Sequence, residues 1–181
     1  MGARSTLVLW MAVAALGAYL WLTAGPRGDP PPEMHPLLPF RPEDVTVLTI
    51  VDAEGTVRLH RAESRWLDDR GHPWPAPELL HTVLETLAGA QPTAVISDDP
   101  VRLADYGLDP PRRSVTVATA GREKPLTLAL GDRNPVWTAV YARVPPHPRV
   151  MVVGSILLWE LDKVLSAVRQ TNPAPVRPSP E

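Results

Sequence analysis

Hydrophobic spacing divides this chain into stretches of different character. From Leu7 to Ala24 there is no charged residue, and Leu, Val, Ala, Met, Trp and Tyr dominate. About 18 apolar residues at about 1.5 Å each give roughly 27 Å of helix, close to the hydrocarbon thickness of a bilayer. Further on, Val45–Asp52 is apolar on both faces, as a central strand is. Ala53-Glu54-Gly55 reads as a hairpin turn into Thr56–Ala62, where Val57 and Leu59 alternate with Arg58 and His60. Arg65–Asp68 is a short third strand. The spacing then turns helical over Ala76–Ala88, with Leu79, Leu80, Val83, Leu84 and Leu87 on one face. A strand at Thr93–Ser97 follows, and Asp99-Pro100 predicts a capped helical turn through Asp105.

The second half is a strand series. Ser114–Ala118 and Pro125–Leu130 alternate around the turn at Gly121-Arg122. Trp137–Val144 and Arg149–Gly154 predict another hairpin across Pro145-Pro146-His147-Pro148. Ser155 can cap a final helix to Gln170, with Ile156, Leu157, Leu161, Val164, Leu165 and Val168 as its apolar stripe. Strands followed by a helix thus occur twice, at roughly 45–97 and 113–170, which is compatible with two diverged halves. The economical architecture is α+β: antiparallel sheet with helices packed on one face, preceded by one transmembrane helix. Leu84, Leu87, Leu161 and Leu165 are expected in the core.

The apolar N-terminal run is open to three readings. A cleaved signal peptide needs small residues before the cleavage site, and Leu22-Thr23-Ala24 breaks that pattern with a bulky Leu. Lipoprotein processing needs a cysteine, and the chain has none. A buried helix would need cover that Gly25–Pro42 does not offer. Trp10, Tyr19 and Trp21 lie near the ends of the run, where amphipathic rings favour the headgroup zone. The expectation is an uncleaved, single-pass anchor in the inner (plasma) membrane. Arg4 precedes the run while Arg27 and Arg41 follow it, so charge does not choose a side. A short tail before a long C-terminal domain commonly acts as an export signal, which places the domain outside the cytoplasm.

Domain boundaries follow from composition: a tail over 1–6, the anchor at 7–24, a proline-rich linker at 25–42, an α+β domain at 43–171 and a proline-rich tail at 172–181. Prolines at 26, 30, 31, 32, 36, 39 and 42 favour an extended linker. Met34, Leu37, Leu38 and Phe40 are its apolar exceptions, able to dock on the domain or on a partner. The tail is expected to stay unpacked. A net charge of −2 offers no basic field for nucleic acid.

Candidate chemistry is sparse. The histidines at 35, 60, 72, 81 and 147 show no H-x-x-x-H spacing, and no cysteine could complete a zinc site. Neither a nucleophile elbow nor a glycine-rich phosphate loop occurs. Asp68-Asp69 and Asp98-Asp99 read as strand-end and cap residues. No catalytic residue, cofactor or metal is therefore expected. Binding candidates remain. Trp74 lies between Pro73 and Pro75, and Trp137 follows Pro135, both in predicted loops. Either rigid loops present these rings to a protein partner, or the rings cap the core. Arg112-Arg113 is the domain's basic doublet, a solvated strand edge or a partner contact.

Tyr106-Gly107-Leu108-Asp109-Pro110-Pro111 resembles the Tyr-Gly-Leu-x-x-Pro signature of the membrane-anchored domain-of-unknown-function family 4340. Leu128-Ala129-Leu130-Gly131 and Val140-Tyr141-Ala142-Arg143 are similar to further family patterns, and the resemblance spans about Val45–Gln170. Family members are often encoded beside ABC-type export or gliding-motility transport components. The resemblance thus implies an accessory role in an envelope complex and carries no activity. Many members hold further copies of the unit, whereas this chain has room for one. Read from the residues alone, Gly107 supplies a positive φ, Leu108 plugs the core, and Pro110-Pro111 aims the chain into the next strand. The leading expectation is a non-catalytic interaction module. An envelope hydrolase acting on wall polymer and a binding module for an exported ligand are the alternatives.

Overall fold

A computed structural model of the chain describes residues 10–16, 19 and 35–171. Two units are distinguished, Met1–Met34 and His35–Glu181. In the first, residues 10–16 are helical. The rest of the expected Leu7–Ala24 anchor, apart from Tyr19, lies outside the described residues, as do 25–34 of the linker and the 172–181 tail. Among the described residues no helix is long and apolar enough to cross a membrane.

The second unit is α+β. Its elements are β1 (Val45–Asp52), β2 (Gly55–Ala62), β3 (Arg65–Asp68), α1 (Pro77–Ala88), β4 (Ala94–Ser97), β5 (Arg113–Thr119), β6 (Leu126–Arg133), β7 (Ala139–Arg143), β8 (Val150–Gly154) and α2 (Ile156–Thr171). One eight-stranded sheet has the order β3-β2-β1-β5-β6-β7-β8-β4. Every pairing is antiparallel. Two meanders, β1-β2-β3 and β5-β6-β7-β8, join through β1 and β5. The α1 connection carries the chain from one edge of the sheet to the other, so β4 pairs with β8.

Both helices cover one face. Leu48, Ile50, Leu59, Val115, Val117, Leu128, Leu130, Val140, Ala142 and Val153 point to that side by the two-residue period of a strand. They meet Leu80, Val83, Leu84 and Leu87 of α1 and Leu157, Leu161, Val164 and Leu165 of α2. Leu38 is fully buried there, with Leu37 and Phe40 packed beside it. The end of the linker therefore docks on its own domain, held by a 2.8 Å hydrogen bond from the Leu37 amide to the Ala90 carbonyl.

Two local expectations change. The helical turn predicted from Asp99-Pro100 forms at Leu103–Tyr106 instead. Residues 98–102 are spent leaving edge strand β4, with Asp98 tied to Arg149 at 2.6 Å and Val101 fully in solvent. Ile156, expected in the apolar stripe of α2, is 59% exposed. The stripe starts at Leu157, because Ile156 lies in the first turn beside a loop rather than over the sheet.

Candidate functional site

The second face of the sheet is covered only in part, and the signature segment does the covering. After β4 the chain crosses β6, β7 and β8, and Leu108 packs there against Ala129 and Val150 in a small second core. Tyr106 meets Tyr141 edge to face, with ring centroids 5.1 Å apart. Gly107 has φ +66, which lets its amide close the Leu103–Tyr106 turn on the Ala104 carbonyl. A Cβ there would stand 2.8 Å from the Asp132 amide nitrogen. Gly131 faces it from β6: a Cβ would run into the Tyr106 carbonyl. Pro111 bridges back to Leu108. Tyr106, Gly107, Leu108 and Pro111 thus fasten one loop onto Leu128–Gly131 and Val140–Arg143. The three family-like motifs are one packing unit, and Leu108 plugs this second core, not the main one.

The four partner-binding candidates lie at one end of the sheet, where β3, β6 and α1 meet their loops and β5 begins. They do not make one patch. Trp74 follows β3 and Trp137 follows β6, four strand positions away, or about 19 Å at about 4.8 Å per strand. Trp74 is only 8% exposed. Its amide bonds the Trp66 carbonyl at 2.7 Å, and its Nε1 donates to the Ala76 carbonyl at 2.8 Å. Arg113 and Arg112, adjacent in sequence, take opposite faces. The Arg113 side chain is 15% exposed under α2, 2.7 Å from Asp162 and 4.0 Å from Asp52. Arg169 extends this band to Asp52 at 3.2 Å and Glu54 at 2.7 Å. Arg112 is open to solvent and pairs with Asp132 at 2.8 Å.

Trp137 is presented outward. Asn134 builds the turn: its Oδ1 accepts from the Thr138 and Ala139 amides, and its carbonyl accepts from the Trp137 amide at 2.9 Å. Trp137 sits at φ +63, 69% exposed, with the Arg133 guanidinium 5.5 Å from its ring. Residue Val136 beside it is 70% exposed. The Ser155 amide donates to the Thr138 carbonyl at 3.1 Å, which brings the first turn of α2 against this loop. That turn carries exposed Ile156 and Trp159, and Lys163 lies 3.5 Å over the Trp159 ring. Val136, Trp137, Ile156 and Trp159 are the chemically distinctive surface of this end. Only Trp137 was marked by its sequence context.

Around Trp74 the surface is concave. A cavity of about 360 Å³ is lined by Val57, Leu59, Trp74, Pro75 and Val168, with Asp68 and His72 at its polar side. The His72 and Arg70 amides donate to Asp68 Oδ1 at 2.8 and 2.9 Å, and the His72 ring lies 3.3 Å from Oδ2. The His72 backbone bond, helped by the Arg70 amide and the His72 ring, holds the Asp68 carboxyl below its usual range. Among the described residues no group of three or more His, Asp or Glu side chains is placed to hold a metal ion.

An α+β domain with its helices on one face and a signature loop on the other is the class these features define. The model of a domain of unknown function, DUF4340, matches residues 71–179, and the chain belongs to that family. No curated protein and no solved structure matches the chain.

Proposed function

We propose that this chain is a non-catalytic accessory module of a cell-envelope membrane complex, working beside an ABC-type transporter. The Leu7–Ala24 segment holds it in the inner membrane as a single-pass anchor, and the α+β domain stands on the extracytoplasmic side. The observation that carries the reading is that Val136 and Trp137 in one loop and Ile156 and Trp159 in the first turn of α2 are all exposed, the two segments being joined by the Ser155–Thr138 backbone bond. Single exposed apolar side chains are ordinary, but adjoining aromatic and aliphatic groups mark contact surfaces. The Asn134 turn and the α2 backbone fix two of these side chains each, so little ordering entropy is lost on docking. Trp is also among the residue types that dominate interface energies. Arg133, stacked on the Trp137 ring, adds positive charge at the rim, while Lys163 over the Trp159 ring is paired with Glu160 at 3.0 Å. Arg112 flanks the same end, whereas Trp74 and Arg113 serve the domain's own packing.

The test is recovery of a transporter membrane subunit with the full chain in mild detergent. Trp137→Ala with Trp159→Ala is expected to cut recovery about thirty-fold, the weight of one strong interface anchor. The thermal midpoint should hardly move, because both rings are mostly in solvent. Unchanged recovery would refute the surface. A mature chain beginning near Gly25, or a C-terminal reporter active only in the cytoplasm, would refute the anchoring.

A further inference from the structure

We propose that the groove beside Trp74 is the docking site of this chain's own proline-rich segment, Pro173–Pro180, laid along the unpaired edge of β2 as an extended strap. Strand β2 runs from Gly55 to Ala62, but β3 pairs only with Leu59–Ala62. Among the described residues the outer edge of Gly55–Arg58 therefore lacks a neighbouring strand. A bare edge of this kind is a template for added extended chain. Here it is walled rather than open: Pro73, Trp74 and Pro75 rise on one side and Val168 of α2 closes the other, around the cavity of about 360 Å³. Trp74 offers this groove an apolar ring edge, because its N–H is already spent on Ala76.

The position of α2 supplies the occupant. Arg169 is clamped to Asp52 and Glu54 at the β1–β2 turn, which fixes the last turn of the helix over the groove. Thr171 follows Val168 by three residues, about 4.5 Å of helix rise. The sequence then reads Asn172-Pro173-Ala174-Pro175-Val176-Arg177-Pro178-Ser179-Pro180. Such spacing favours the polyproline conformation, which is extended before it binds and so loses little entropy on docking in an aromatic, proline-lined groove. Pro173 to Pro180 spans about 22 Å at about 3.1 Å per residue. The free edge from Gly55 to Arg58 needs about 10 Å. The segment is therefore long enough to turn out of α2 and still cover the edge. Ala174 and Val176, two residues apart and so in one phase of an extended chain, retain backbone donors that the edge carbonyls can accept, and Val176 supplies an apolar side chain for the cavity. Arg58 and Arg70 at the rim offset Asp68 and Asp69, so the recognition is apolar and backbone-led. The family match also continues to residue 179, past the end of α2.

Hydrogen exchange on the full chain, and on a chain stopped after Thr171, tests the strap in the same mild detergent. The full chain is expected to exchange the Thr56–Arg58 amides about five-fold more slowly or better, with protection at Ala174 and Val176. A synthetic peptide of residues 172–181 added to the shortened chain should restore the lost protection. Val176→Asp in the full chain should release it while the α2 core amides stay unchanged. Tail amides exchanging at the rate of the free peptide, or β2 amides indifferent to the truncation, would overturn the proposal. Protection that falls on dilution would place a neighbouring copy's segment in the groove and overturn the intramolecular strap.

Discussion

Replacing Gly131 by Ala asks how firmly the signature loop is held. The new Cβ would overlap the Tyr106 carbonyl and approach Leu108 Cγ to 3.0 Å and the Gly107 carbonyl carbon to 3.1 Å. Carbon atoms pack without strain at about 3.5–4.0 Å, and two of these neighbours are backbone. The loop must therefore lift by about 1 Å or β6 must bend. Lifting it opens the contact of Leu108, 1% exposed, with Ala129 and Val150. Overpacking costs about 1–3 kcal/mol, and losing most of a buried Leu costs about 1.5–3 kcal/mol. Because relaxation trades one against the other, the expected loss is about 3 kcal/mol. Gly121→Ala separates this clash from backbone strain: its φ is +80, but no atom lies within 4 Å of its Cβ. That control should cost about 1–2 kcal/mol. Urea unfolding of the full chain in mild detergent reads the difference, a midpoint shift of about 1–2 M for Gly131→Ala at an ordinary slope. Equal shifts for the two variants would mean that the loop is not pressed on β6, and the packing account of the signature would be wrong.

Leu161→Ala removes a fully buried side chain between α2 and the sheet, and about 2–5 kcal/mol of stability should go with it in the same unfolding assay. Arg113 and Asp162 should couple by about 1 kcal/mol in a double-mutant cycle, since one partner is half exposed and screened. Asp68 has its folded-state carboxyl held below the ordinary value of 3.8, so its contribution to the 69–75 loop is present above that pH and disappears as pH falls through the depressed value. Proteolytic nicking of the loop should rise on acidification through that window, and Asp68→Asn should abolish the dependence.

Strand and helix positions were legible because one face of each element is buried, and burial enforces a period. Val57 and Leu59 against Arg58 and His60 could only be a half-buried strand, and both edges of β2 fall within a residue of the pattern. The failures lie where side chains act on the backbone instead. Trp137 looks like the start of a strand, yet the Asn134 carboxamide takes the Thr138 and Ala139 amides and delays β7 to Ala139. Strand order was hidden for another reason. Whether β4 returns to β3 or crosses to β8 depends on how α1 lies over the sheet, and local spacing carries no record of that.

The candidate surface was half legible, and the residues that failed were separable by a rule already in the sequence. Neighbouring strand residues point to opposite faces, so Arg112 and Arg113 could never form one basic patch once Arg113 began a strand. Arg113 turned inward to Asp162 and Asp52, and Arg112 outward to Asp132. The tryptophans offered no such rule, since each stands beside proline in a loop. Their fates diverge through hydrogen bonds made by other residues. The Trp66 carbonyl draws the Trp74 amide back onto β3 and folds that ring inward, whereas Asn134 holds Trp137 in a left-handed turn that points its ring out. The first turn of α2, which carries Ile156 and Trp159, is brought to the Trp137 loop by the Ser155 amide bonding the Thr138 carbonyl, a contact that local spacing does not record. The contact lies where the start of β7 and the end of β8 pair, so it depends on strand order as well as on local sequence. A deletion that slid α2 by one residue would rotate Trp159 about 100° from the loop and break the cluster while leaving the composition of both segments almost intact.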